Sequence, residues 1–296
     1  MESHTLALFK EHAIIPPPES KDVFRTKRIL IDSRDRNTKL HPNPNQYTIK
    51  IDEGLEDVVS VELAISDFPF NEYNITVNNN RLHVSVQSSP NVYQEITIKP
   101  GKYDGEQLAE ALQMRLVEII TSSGVLFDVI TSTLTFSGMD GCTFNFKNET
   151  PRKFDDDNLV YDYRPRSIGR VLGFLPEAYL ASTEPLTAPH PVDLRNESYI
   201  IMNLQRAKVY LSQNNVANQC FAILRLENND KWLSTLNTEP VRKSFKPPIP
   251  DMSSLRFKFV DYYGNAYDFQ NKEHRFELIV KTLKQGRKYS EMAGFN

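Results

Sequence analysis

Two neighbouring stretches decide how this chain is read: Ile31-Asp32-Ser33-Arg34-Asp35-Arg36-Asn37 and Asn43-Pro44-Asn45-Gln46-Tyr47-Thr48-Ile49. The first is a dense run of opposite charges. The second is a proline-broken turn that opens into alternation, with Tyr47, Ile49 and Ile51 on one face. Period-two alternation marks a strand with one buried side. The pair therefore reads as an extended charged arm entering a β domain.

The alternation continues outward from there. Val59, Val61, Leu63 and Ile65 interleave with Ser60, Glu62 and Ala64; Leu82, Val84 and Val86 with His83 and Ser85. Ile96 and Ile98, Leu134 and Phe136, then Cys142, Phe144 and Phe146 repeat the pattern. So do Ile200 and Met202; Cys220, Ala222, Leu224 and Leu226; Leu255, Phe257 and Phe259; and Phe276, Leu278 and Val280. Roughly ten short strands bounded by Asn, Gly and Pro indicate a sandwich or barrel. One helix interrupts them, over about 104–122. Asp104 caps it with Gln107 three residues on, Leu108, Leu112, Leu116 and Ile119 form its stripe, and Gly124 supplies a stop. A shorter helical turn is expected over Ser167–Leu172, ending at Gly173. The fold class is all-β with one inserted α-helix.

Three segments follow from this pattern. Residues 1–43 read as an extended N-terminal arm, because Pro16-Pro17-Pro18 blocks helix and strand alike. Residues 44–284 form the β body, with long proline-rich loops over about 147–197, and 285–296 a C-terminal tail. Arg25, Arg28, Asp32, Arg34, Asp35 and Arg36 in the arm cannot bury themselves alone. They are expected to meet partner subunits through charge-assisted hydrogen bonds. An arm of this extent implies that the body folds without residues 1–43.

Composition narrows the function. The chain has 296 residues, 25% charged and 40% hydrophobic, with a net charge of -3. That balance lacks the clustered basic field of nucleic-acid binders. No apolar run approaches the about 20 residues of a membrane helix. The opening MESHTLALFKEH is not a signal peptide. Cys142 and Cys220 sit in alternating apolar runs and read as buried thiols, although one bridge between them stays open.

The candidate chemical motifs dissolve on inspection. Lys102-Tyr103-Asp104-Gly105 matches the KxDG of nucleotidyl-lysine enzymes. No acidic residue stands two positions earlier, and no DGxVxK-type segment follows, so Asp104 reads as a helix cap. Asp155-Asp156-Asp157 reads as a solvated loop rather than a cation site. The six histidines show no HxH or HxxxH spacing, and no CxxC exists. Asn74, Asn148 and Asn196 begin formal glycosylation sequons that read as chance matches without a secretory signal. No catalytic, cofactor-binding or metal-binding residue is expected.

Several pieces in order resemble a known family. Asp32–Asn37 (DSRDRN) comes first, then Asn43–Ile49 (NPNQYTI) and Val58–Ile65 leading to Phe68-Pro69. Ile96–Tyr103 (ITIKPGKY) follows with its Leu-rich helix, then Val171-Leu172-Gly173-Phe174, Tyr267–Gln270 and His274–Leu278. This order is similar to the minor capsid and penton-type proteins of large icosahedral double-stranded DNA viruses. The resemblance implies a single jelly-roll sandwich in a virion capsid, assembled in the host cytoplasm without catalysis or cofactor. It implies the major capsid protein and other minor capsid proteins as partners, and permits self-association at a fivefold vertex. It leaves open a penton or a lattice-cementing role. The competing class is a jelly-roll carbohydrate-binding or host-attachment module, with a glycosidase-like sandwich enzyme behind it.

Overall fold

The computed structural model describes residues 24–69, 71, 73–147, 167–195, 199–218, 220–225 and 232–283, with residues 232–239 described by backbone alone. Residues 1–23, Asp155-Asp156-Asp157, the sequons at Asn148 and Asn196, and the tail from 284 lie outside the described residues. Eight strands build the body: β1 (Phe24–Asp32), β2 (Gln46–Lys50) and β3 (Glu56–Pro69) lead. An insertion follows β3. The body then resumes with β11 (Tyr199–Leu204), β12 (Ala222–Arg225), β13 (Trp232–Asp251), β14 (Ser254–Val260) and β15 (Arg275–Leu283).

These eight strands form two antiparallel sheets, ordered β1-β15-β3-β13 and β12-β11-β14-β2. Counted along the body alone, the first strand pairs with the eighth, the third with the sixth, the second with the seventh and the fourth with the fifth. That nested pairing is the connectivity of a jelly roll. The core lies between the sheets. Phe68 and Phe276 from one sheet meet Tyr47, Phe257 and Phe259 from the other, all fully buried. Each such side chain contributes on the order of 2–3 kcal/mol. Strand alternation explains the geometry: Leu255, Phe257 and Phe259 face in while Arg256 and Lys258 face out.

The insertion lies between β3 and β11 and has its own core. It comprises β4 (Arg81–Ser85), β5 (Gln94–Thr97), α1 (Gly105–Val117), β6 (Gly124–Asp128), β7 (Thr133–Ser137), β8 (Thr143–Asn145), β9 (Ala178–Leu180) and β10 (Leu186–Thr187). They form the sheets β5-β4-β8-β9 and β10-β7-β6. Leu108, Leu112 and Leu116 pack with Leu82, Phe136, Phe144 and Phe146 in a cluster separate from the jelly-roll core. The sequence reading carried one sandwich across 44–284; among the described residues that span holds two large cores and a small third cluster of Ile201, Ala217, Cys220 and Val260. The segments 24–69 and 199–283 make the first core, and the segment between makes the second.

Local details follow from chemistry. Asp104 accepts from Gln107 N, and the Gln107 side chain accepts in return, closing the expected capping box. The helix ends earlier than the Gly124 stop anticipated. Ile119 and Ile120 both donate to Leu116 O, tightening the last turn. Gly124 instead starts β6, where a Cβ would stand 2.5 Å from Ser137 Oγ. Ser167 caps a 3-10 turn over Ile168–Arg170, and Gly173 beyond it has φ +87. Any side chain there would strike His190 O at 2.0 Å. Cys142 and Cys220 are buried free thiols in different clusters, so no bridge joins them.

Candidate functional site

The charged run that opened the sequence reading becomes a clasp. Asp32 ends β1 and caps the following 3-10 turn by accepting from Arg34 N at 2.9 Å. The turn aims Arg36 inward, where its side chain is 3% exposed. Its guanidinium reaches Ser33 O (2.6 Å), His41 O (3.0 Å), Pro42 O (3.0 Å) and Glu273 Oε2 (2.5 Å). Ser33 Oγ donates to the same carboxylate and accepts from His274 N at 2.8 Å. Ser33 N donates to His274 O at 2.9 Å, which prolongs the β1–β15 ladder by one step. The clasp thus joins the end of β1, the entry to β15 and the chain approaching β2, at the seam between the two sheets.

Beside it lies a histidine in an aromatic cage. His274 is 2% exposed, with ring centroids of Phe269, Phe68 and Phe259 at 4.6, 4.7 and 4.8 Å. Tyr47 Oη lies 2.9 Å from its Nε2. Nδ1 is buried with no hydrogen-bond partner among the described residues. Desolvation, reinforced by the Arg36 charge, lowers the His274 pKa to about 3, so the ring is neutral. Burial also raises Tyr47 well above the usual phenol range. Ser, Tyr, His, Arg and Glu together resemble acid–base machinery, but Ser33, Tyr47, Arg36 and His274 are all buried. Among them the Glu273 side chain alone is partly open, at 34% exposed.

The six residues expected to bind partners therefore separate. Arg36 is withdrawn into the fold. Asp32 is spent on Arg34, whose guanidinium hydrogen bond holds the Asp32 carboxyl below its usual range. Arg25, Arg28, Arg34 and Asp35 are exposed. Residues 24–43, expected in a free arm, supply an edge strand and a buried clasp instead, because Ile29 and Ile31 alternate with Arg28 and Leu30 and put one face of β1 on the core.

Arg28 belongs to a larger feature, the outer face of the β1-β15-β3-β13 sheet. Register aligns Leu30 with Glu277 and Ile65, and Arg28 with Ile279, Glu62 and Arg242. Ion pairs cross these rows: Arg28 to Glu277 at 2.7 Å, Arg275 to Asp67 at 3.0 Å, and Arg242 to Glu62. In each pair the carboxylate is the covered member, with side-chain exposure of 11–21% against 46–67% for its arginine. The face thus shows guanidinium to solvent. Arg242, Arg275, Glu62 and Asp67 were not anticipated, although each occupies the outward position of an alternating strand. Among the described residues no group of three or more His, Cys, Asp or Glu is placed to hold a metal ion. No helix there is long and apolar enough to cross a membrane.

Residues 19–145 match a family of unknown function (DUF5901). No curated protein matches the chain. Among solved structures it is similar to the crystal structure of a mavirus penton protein, at 11% identity, covering 88% of this chain and 99% of that one, with a TM-score of 0.36.

Proposed function

We propose that this chain is a non-enzymatic structural subunit of the capsid of a large icosahedral double-stranded DNA virus, acting by lasting adhesion to neighbouring capsid proteins. The observation that carries this reading is the fate of its motifs. DSRDRN, NPNQYTI and the HRFEL stretch, which carry the resemblance in sequence, converge with Glu273 on one buried clasp that welds the jelly roll shut. The most distinctive polar groups of the chain are consumed by the fold, and what faces outward is an ordered sheet of arginines. Arginine held by a carboxylate beneath it suits protein contact. Its neighbours on this reading are the major capsid protein and other minor capsid proteins, met in the virion after assembly in the host cytoplasm.

The test is compositional and spatial. Particles purified from infected cells should contain the chain in fixed ratio to the major shell protein, and electron microscopy should place its jelly roll within the shell. Absence from purified particles sinks the proposal. Specific retention of the isolated chain on a glycan array, or turnover of a chromogenic glycoside abolished by one Asp or Glu substitution, would move the reading to attachment or to catalysis.

A further inference from the structure

We propose that the outer face of the β1-β15-β3-β13 sheet docks the exposed stripe of α1 on a second copy of this chain. The inference deepens the adhesive reading above by naming one pair of contacting faces.

The sheet face has the composition of a contact centre. Leu30 is 66% exposed and Ile65 42%, one on each side of Glu277. Two strand spacings separate them by about 10 Å. Arg28, Arg275 and Arg242 surround this apolar pair, already fixed by the carboxylates beneath them. Side chains ordered before contact lose little freedom on docking. Arg28 and Arg275 each spend one nitrogen on a carboxylate among the described residues, which leaves further N–H groups of each fork for an incoming acceptor.

α1 offers the complement. Its inner face, Leu108, Leu112 and Leu116, is buried, and Glu106, Glu110, Met114 and Val117 run along the opposite side. Spacings of four, four and three residues keep these four in one stripe. Met114 is 67% exposed and Val117 40%. Glu106 and Glu110 make no ion pair among the described residues, so their carboxylates are available to outside donors. The stripe spans about 16 Å at the helical rise. Three strand spacings give the sheet a width of about 14 Å. Acidic and apolar groups on the helix thus match cationic and apolar groups on the sheet in sign, chemistry and length. The two faces differ, so the contact is heterologous: each copy offers one face and one stripe, and copies join head to tail.

Sedimentation velocity of the purified full-length chain tests this. Wild type should associate at low salt and dissociate as salt screens the contact. Arg28→Glu and Glu110→Arg, both at exposed positions, should each weaken association at least about tenfold. An equimolar mixture of the two variants should recover it, because one retains an intact stripe and the other an intact face. A wild-type chain that stays monomeric at about 100 µM, far above a micromolar contact, overturns the inference. So do variants that associate like wild type, or a mixture no better than either alone. If any of these occurs while the chain is still found in purified shells, the face assignment falls and the adhesive reading stands. Absence from shells removes that reading whatever the sedimentation shows.

Discussion

Lowering the pH from 7.5 to 5 should destabilise the jelly roll through one buried ring. His274 takes up a proton at about 3 when folded, against an ordinary unfolded value near 6.5. Between about pH 6.5 and 3 the unfolded chain therefore binds up to one more proton than the folded chain. Stability is whole above pH 6.5 and falls as pH drops, by about 1.4 kcal/mol per unit, until the folded ring itself titrates. Between pH 7.5 and 5 the loss from this residue is about 2 kcal/mol. Tyr47, raised well above the usual phenol range, remains a neutral phenol across the window. The nearby Asp32 carboxyl is held below its usual range, so the window is closed at pH 5, above carboxylate titration. Urea unfolding followed by circular dichroism measures the loss. His274→Gln removes the titration while keeping a polar side chain. The variant should start weaker at pH 7.5, yet its loss on acidification should be smaller than that of wild type by about 2 kcal/mol. The other five histidines are common to both proteins, so whatever they contribute cancels in the comparison. Parallel pH profiles for the two proteins would refute the reasoning.

Three further outcomes are expected. Removing residues 1–43 deletes β1, Ile31 and Arg36 and should abolish cooperative unfolding of the sandwich, as circular dichroism melts will show. Arg36→Ala should cost about 2–3 kcal/mol, mainly by removing the buried fork that satisfies Ser33 O, His41 O and Pro42 O, since the Glu273 carboxylate left behind is a third exposed and hydrated; Arg36→Lys should recover only a minority of that, since one ammonium cannot reproduce the fork, and chemical denaturation measures both. Asp104→Ala should cost about 1 kcal/mol as a lost helix cap, and incubation of wild type with radiolabelled ATP or GTP should leave no covalent label on Lys102; a labelled lysine would revive the nucleotidyl-transfer reading of KYDG.

Much of the architecture could be read in the chain, because alternation reports directly which side of a strand meets the core. Tyr47, Phe257, Phe259, Phe276 and Leu278 were all recognisable that way, and Asp104 with Gln107 announced α1. The division into two cores was hidden, because Leu82 and Phe144 of the insertion alternate just as Leu255 and Phe257 of the sandwich do. Period two says that a strand has an inside without saying which inside. Arg36 was misleading for a related reason. A charged residue in a charged run reads as solvated, and its partner Glu273 stands 237 residues away. The ordered sheet face escaped notice because Arg28, Arg242 and Arg275 become neighbours only through the 1-8-3-6 pairing of the jelly roll.

One pairing has a reach beyond the sandwich. Phe24 at the head of β1 lies opposite Leu283 at the foot of β15. Paired strands bring such residues within about 5 Å of each other. Whatever precedes the jelly roll and whatever follows it therefore leaves through a single doorway at one corner. A neighbour gripped by one flank comes within tethering range of the other, where effective concentration rather than intrinsic affinity governs the second hold. The same proximity makes the two ends joinable by a short linker, so a circularly permuted chain opened at an exposed turn should recover this fold.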